Sequence, residues 1–121
     1  MVTPGQRHES TQFAAVLAGI RVPRAGRGRP RTRPARVLAD QGYSYPHCRR
    51  LLRRRGIPHT IPTRSDQRRL PFDRAAYRRR NVVERCVNRL KQFRGLATRY
   101  EKRAANYRAM VVIASLLIWL P

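Results

Sequence analysis

Acidic residues are scarce in this 121-residue chain, which has six Asp and Glu against 28 Lys and Arg. Only Lys91 and Lys102 are lysines, so 26 of the basic residues are arginines, and the formal net charge is +22. Such an excess opposes compaction unless a polyanion neutralises it, and the planar guanidinium pairs with phosphate through two hydrogen bonds. We therefore expect a nucleic acid as the partner.

Cysteines and long apolar runs are also in short supply. Cys48 and Cys86 are the two cysteines, and they provide neither a disulfide framework nor a paired metal-binding spacing. The longest apolar run, residues 109–120, has 12 residues, whereas a membrane span needs about 20. The length allows one small domain, and residues 1–4 show no signal peptide. We expect a reduced, cytoplasmic protein whose 41% hydrophobic content supports a core.

Hydrophobic spacing predicts helices that alternate with strands. A helix face is predicted near the N-terminus, followed by a short buried strand over 37–39 that ends at Asp40. A second helix capped by Ser44 precedes an edge strand over 57–61, where prolines alternate with apolar residues. Two more helices are predicted over 74–93 and 102–120, the last covering the sheet or the preceding helix. This order indicates an α/β layer with parallel strands.

Residues 21–36 hold seven arginines among prolines and glycines. With almost nothing apolar to bury, the segment is predicted to be a solvated basic loop. Within it, RGRPR over 27–31 is similar to the core of an AT-hook, which lays arginines into a narrow minor groove. Two interpretations stay open for Arg27, Arg29 and Arg31: insertion into the minor groove, or generic contact with DNA phosphates.

Two of the six acids stand apart from capping, turn and surface positions. Asp40 follows the first predicted strand, and Glu84 lies inside the third predicted helix. At 100° per residue, a polar stripe about 80° wide contains Glu84, and its members are Tyr77, Arg80, Glu84, Asn88 and Lys91. The adjacent apolar arc, which includes Cys86, can face the core. The alternative is a solvated basic helix with one incidental salt bridge.

The spacing Tyr77-(2)-Arg80-(3)-Glu84-(6)-Lys91 resembles the signature of bacterial insertion-sequence DDE transposases of the insertion-sequence-4/5-like group. All four residues and all three gaps match. The segments 2–10, 27–44, 52–62 and 80–102 are similar to the same group, so the resemblance covers nearly the whole chain.

The resemblance implies an RNase H-like fold in which three acids hold two divalent metal ions, Mg²⁺ or Mn²⁺, for DNA strand cleavage and transfer. Asp40 matches the second aspartate of the group and Glu84 its closing glutamate. Tyr77, Arg80 and Lys91 match positions that bind the transposon end. Two metal ions about 3.5–4 Å apart can activate water and stabilise the leaving oxygen, and carboxylates are suitable ligands for magnesium.

The chain departs from that group because no segment matches the first strand, which carries the first catalytic aspartate. Residues 1–3 resemble the end of the third strand. We therefore expect one domain over 1–121, a truncated RNase H-like α/β fold that lacks the first strands and has flanking helices. On this interpretation the chain is the C-terminal part or second reading frame of a transposase, and is inactive alone.

The expected partners are the DNA of terminal inverted repeats and target sites, with a possible first-half polypeptide from an upstream frame. We also expect a homo-oligomer on DNA and no association with a membrane. The expected location is the cytoplasm, at the bacterial nucleoid. The alternative is a non-catalytic basic DNA-binding protein or transposition repressor, which would not need Asp40 at a strand end or Glu84 in a basic stripe.

Overall fold

The computed structural model describes residues 8–98 and 101–120. The chain divides into two compact units, the first ending at Arg80 and the second beginning at Asn81. The strand end predicted at residues 1–3 lies outside the described residues. In the part of the chain that is described, no helix is long and apolar enough to cross a membrane.

The first unit is a small helix-and-sheet layer. A 3-10 helix, Glu9–Gln12, leads into α1, Phe13–Ala18, and β1 is Val37–Leu38. A second 3-10 helix, Gln41–Tyr43, precedes α2, Pro46–Arg54, which is followed by β2, His59–Thr60, and α3, Arg74–Arg78. The two strands pair in parallel, with Val37 opposite His59 and Leu38 opposite Thr60. The predicted parallel pairing of these strands is thereby confirmed, with α2 in the connection between them.

The core of the first unit lies between α1, α2 and the sheet. Phe13 and Leu17 come from one face of α1, as their spacing predicts, and Leu52 of α2 is fully buried beside them. The remaining members of this buried cluster are Cys48, Ile57 and Ile61. Burial of these side chains holds β1 and β2 against the helices.

The start of α2 differs from the prediction that Ser44 caps it. Pro46 is the first residue of the helix, with Tyr45 as an N-cap that makes no side-chain capping bond. Proline is favoured there because its fixed φ suits the first turn and its missing N–H costs nothing. Ser44 is instead buried and hydrogen-bonded to the linker that follows β2. Gly56, at φ +61°, follows the end of α2, where glycine is favoured because it adopts this conformation without strain.

The described residues of the second unit form three helices, α4 (Asn81–Lys91), α5 (Arg94–Ala97) and α6 (Ala104–Trp119). α6 packs against α4 and α5, which agrees with the expectation that the last helix covers the helix before it. Gly95 allows α5 to approach α6, because a Cβ at this position would lie 2.6 Å from Met110 Cε. Leu96 and Ala114 are buried in this unit.

The single helix predicted over 74–93 is observed as two helices, α3 and α4. The amides of Arg79 and Arg80 donate to Ala76 O and Tyr77 O at 3.1 and 2.9 Å, which is the i to i−3 pattern of a tightened turn. The predicted polar stripe from Tyr77 to Lys91 assumes a continuous helix with 100° per residue, and this assumption fails at residues 79–80. The apolar arc of α4 was also expected to be buried, but Cys86 and Val83 are exposed.

Candidate functional site

Asp40 lies two residues beyond β1, at the end of the strand where it was predicted. Its Oδ1 accepts a hydrogen bond of 2.9 Å from the Gly42 amide, so the carboxylate caps the 3-10 helix Gln41–Tyr43. A Cβ at Gly42 would lie 2.9 Å from the same oxygen, so only glycine leaves the carboxylate this position. The side chain of Asp40 remains 44% exposed, which leaves it open to a ligand.

The second carboxylate oxygen of Asp40 contacts a residue of the signature. Arg80 Nη2 lies 3.7 Å from Asp40 Oδ2. The Arg80 guanidinium carbon lies 5.9 Å from the centroid of the Tyr77 ring, a cation–π distance. The structure therefore brings together Asp40, Arg80 and Tyr77, three residues that the sequence marks as functional.

Contacts of Asp73 and Arg36 position the start of α3 beside the sheet. Asp73 caps α3 by accepting a hydrogen bond of 3.0 Å from the Ala76 amide. Arg36, just before β1, donates to Thr60 Oγ1 of β2 at 3.0 Å and lies 3.8 Å from Asp73 Oδ2. These contacts tie the start of α3 to both strands, and Arg80 follows at its other end.

Glu84 and Lys91 lie in the second unit, on α4. Glu84 is in the first turn of the helix, where a negative charge is favoured by the helix dipole, and Lys91 is in the last turn, where a positive charge is favoured. Both side chains are exposed. The proximity of Glu84 to Asp40 stays a prediction.

The candidate ligands have the right chemistry for a divalent metal ion, but too few of them lie together in the described part of the chain. Carboxylate oxygens are the ligands that magnesium prefers, and Asp40 presents one such group at a strand end. Over residues 8–98 and 101–120, however, no group of three His, Cys, Asp or Glu is placed to hold a metal ion. A complete metal site therefore needs a ligand beyond those that this part of the chain brings together.

The basic segment 21–36 is a loop in which all residues but one are exposed, as expected of a solvated loop, and backbone pairing closes its base. Val22 and Arg31 exchange two backbone hydrogen bonds, of 2.9 and 2.8 Å. These bonds close a hairpin-like loop that contains Arg27 and Arg29, and Gly28 within it adopts φ +136°. Arg27, Arg29 and Arg31 are all exposed, so each can reach a polyanion.

A buried arginine that sequence reasoning did not single out lies behind Asp40. Arg49 of α2 is only 8% exposed, and its Nη2 donates to Ser44 Oγ at 3.0 Å and to Ile61 O at 2.8 Å. Burial lowers the pKa of Arg49 from its ordinary value, and Arg53 adds to this effect. Gln67 completes the network, since its amide donates to Ser44 O and accepts from Ser44 Oγ. The network fixes the chain just after Asp40, and no sequence signal separates Arg49 from the other 25 arginines.

Tyr43 lies in the 3-10 helix Gln41–Tyr43 that Asp40 caps, and it anchors this helix to the N-terminal helices. Its hydroxyl donates to Glu9 Oε2 at 3.1 Å, and its ring packs on Phe13 with centroids 5.8 Å apart. Burial, reinforced by the Glu9 carboxylate, raises the pKa of Tyr43 to about 12. The hydroxyl therefore stays protonated and acts as a structural donor.

Comparison with known proteins identifies the family. Residues 1–119 match the family described as Transposase DDE domain. The chain is 35% identical over 118 residues to a Burkholderia cepacia protein assigned as transposase of insertion sequence element IS402; the match covers 98% of this chain and 54% of that protein. It is 30% identical over 123 residues to a Brucella ovis protein assigned as transposase of IS6501, covering 98% of this chain and 84% of the relative.

The chain thus spans about half the length of the first relative and most of the second. No solved structure matches it. The family match covers the strand end with Asp40, the Tyr77–Arg80 contact and the helix that carries Glu84. The chain belongs to the DDE transposase family of insertion sequences.

Proposed function

We propose that this chain is the C-terminal part of a DDE transposase catalytic domain with a truncated RNase H-like fold. It binds transposon-end DNA and contributes Asp40 and Glu84 as two of three acids for DNA strand cleavage and transfer. The observation that carries the proposal is the contact of the strand-end carboxylate of Asp40 with Arg80, which also lies over Tyr77. A structural aspartate in a turn would not require two signature residues beside it.

Each candidate site residue has a role in the proposed reaction that suits its chemistry. Mg²⁺ or Mn²⁺, when bound, supplies an activated water and stabilises the leaving oxygen, and Asp40 and Glu84 would be two of its ligands. Arg80 holds a DNA phosphate next to these acids. The Arg80–Asp40 pair is long, at 3.7 Å, and the Asp40 side chain is 44% exposed, so a phosphate can compete with Asp40 for the guanidinium. Tyr77 supports the Arg80 guanidinium, and Lys91 adds a second phosphate contact from α4.

Strand nicking tests the proposal. The substrate is a duplex with one terminal inverted repeat, in magnesium, and the enzyme is this chain with the polypeptide encoded immediately upstream. We expect nicking that Asp40→Asn and Glu84→Gln each lower by about 10³-fold or more, since ligands of one site act as a unit. Asp66→Asn is the matched control, because Asp66 pairs with Arg64 in the linker and should leave nicking unchanged. Equal activity of Asp40→Asn and the control would contradict the proposal.

A non-catalytic DNA-binding protein or repressor is the second candidate. The net charge of +22 favours it. The double variant Asp40→Asn/Glu84→Gln distinguishes the two functions. A repressor keeps or slightly improves both DNA affinity and repression, whereas a transposase subunit keeps DNA affinity and loses nicking.

A further inference from the structure

The base of the basic loop forms an open cleft of about 860 Å³ in the first unit. Three arginines line it, Arg24, Arg31 and Arg33, together with four prolines and no acidic residue. Pro58, just before β2, is among these prolines, so the cleft borders the sheet. A concave surface lined by cations and free of carboxylates favours an anion.

Hydrogen bonds to backbone carbonyls hold Arg31 and Arg33 in place and leave most of their N–H donors unused. Arg33 Nη2 donates to Gly56 O at the end of α2, and Arg31 Nε donates to Arg33 O at 3.1 Å. Arg55, directly after α2, donates to Thr32 O at 3.4 Å. A guanidinium has five N–H donors, so Arg31 and Arg33 each keep several.

Arg24 is the third arginine of the lining. It makes no hydrogen bond or ion pair with any residue of the described ranges, 8–98 and 101–120. Its aliphatic stem lies near the backbone of Gly28, where an added Cβ would be 3.5 Å from Arg24 Cδ. Its guanidinium is therefore available to a ligand.

We propose that this cleft binds a backbone phosphate of DNA, with Arg24 and Arg31 as direct ligands and Arg33 as a positioning residue. The identity of the polyanion rests on the proposed function, but the site is separate from Asp40 and Glu84. Prolines fix the backbone around the cleft, so the loop is ordered before DNA arrives and loses little entropy on binding.

Charge-preserving substitutions distinguish a built site from general attraction. The double variant Arg24→Lys/Arg31→Lys keeps the net charge but removes the planar, two-bond geometry of the guanidinium. The matched control is Arg68→Lys/Arg69→Lys, which makes the same change at two exposed arginines of the linker outside the cleft. The probe is a fluorescein-labelled duplex of unrelated sequence without divalent metal, measured by fluorescence anisotropy with the full chain.

We expect the cleft variant to bind about fivefold more weakly and the control within about twofold of the unchanged chain, because a bidentate guanidinium–phosphate pair is stronger than an ammonium contact. Matching circular dichroism spectra and melting temperatures establish that both variants fold. Equal affinities of the two variants would overturn the proposal, as would a loss confined to AT-rich duplexes, which indicates the minor groove. Because no metal or nicking enters this assay, a failed nicking experiment leaves its result intact.

A second variant tests the positioning role of Arg33 without changing any charge. Gly56→Ala strains the backbone because Gly56 has φ +61°, and so shifts the Gly56 carbonyl that accepts from Arg33 Nη2. We expect Gly56→Ala to weaken binding of the same probe about threefold, provided that it is folded at the assay temperature. Unchanged affinity in a folded Gly56→Ala protein would remove Arg33 from the site.

Discussion

Replacing Arg49 tests the network that fixes the chain behind Asp40. Arg49→Ala removes the donor to Ser44 Oγ and the donor to Ile61 O. Hydrogen bonds from a charged donor contribute about 1.5–3 kcal/mol each, and the relieved desolvation of the buried cation offsets part of this sum. We expect a net loss of about 2–4 kcal/mol in the free energy of unfolding.

Arg50→Ala is the matched control for this experiment. Arg50 is the next residue of α2 and is exposed, so both variants lose one positive charge and relieve the same self-repulsion. Urea unfolding followed by far-ultraviolet circular dichroism measures both free energies. A difference below about 0.5 kcal/mol between the two variants, the usual size of a surface effect, would refute the assigned role of the buried guanidinium.

Three further outcomes follow from the same contacts. Leu52→Ala, at a fully buried position, should cost about 2–5 kcal/mol in urea unfolding, and a cost below about 1 kcal/mol would contradict the described core. Gly42→Ala should lower nicking by the complete complex about tenfold or more, because its Cβ displaces the Asp40 carboxylate. Gly26→Ala, where a Cβ meets nothing within 4 Å, should leave nicking unchanged. The raised pKa of Tyr43 contributes stability below pH 10 that is lost as pH rises toward about 12; Tyr43→Phe should abolish this loss, which tyrosinate absorbance and thermal melts at each pH measure.

Several elements of the fold could be predicted from local sequence patterns. The apolar run 37–39 and the prolines around 57–61 indicated two short strands, and the structure pairs them in parallel. The position of Asp40 followed from the same run, because a polar residue directly after a buried strand lies at the edge of the sheet. Asp73 was expected in a turn or a helix cap, and it caps α3.

Features that depend on contacts distant in sequence were not predictable. Periodicity cannot detect the tightened turn at Arg79 and Arg80, where the second of these arginines contacts Asp40, 40 positions earlier. The closure of the basic loop depends on Arg33 reaching Gly56. The burial of Arg49 depends on Ser44 and Ile61 meeting at one place. In a chain with 26 arginines, residue type alone does not show which of them are structural.

Anomalous diffraction from Mn²⁺ tests the central claim most directly. Crystals of the chain bound to transposon-end DNA and its upstream partner would be grown in manganese, whose anomalous signal locates each ion. We predict a peak within about 2.0–2.3 Å of a carboxylate oxygen of Asp40 and of one of Glu84, as expected for a hard divalent cation. Crystals in which no bound ion contacts both carboxylates would contradict the account.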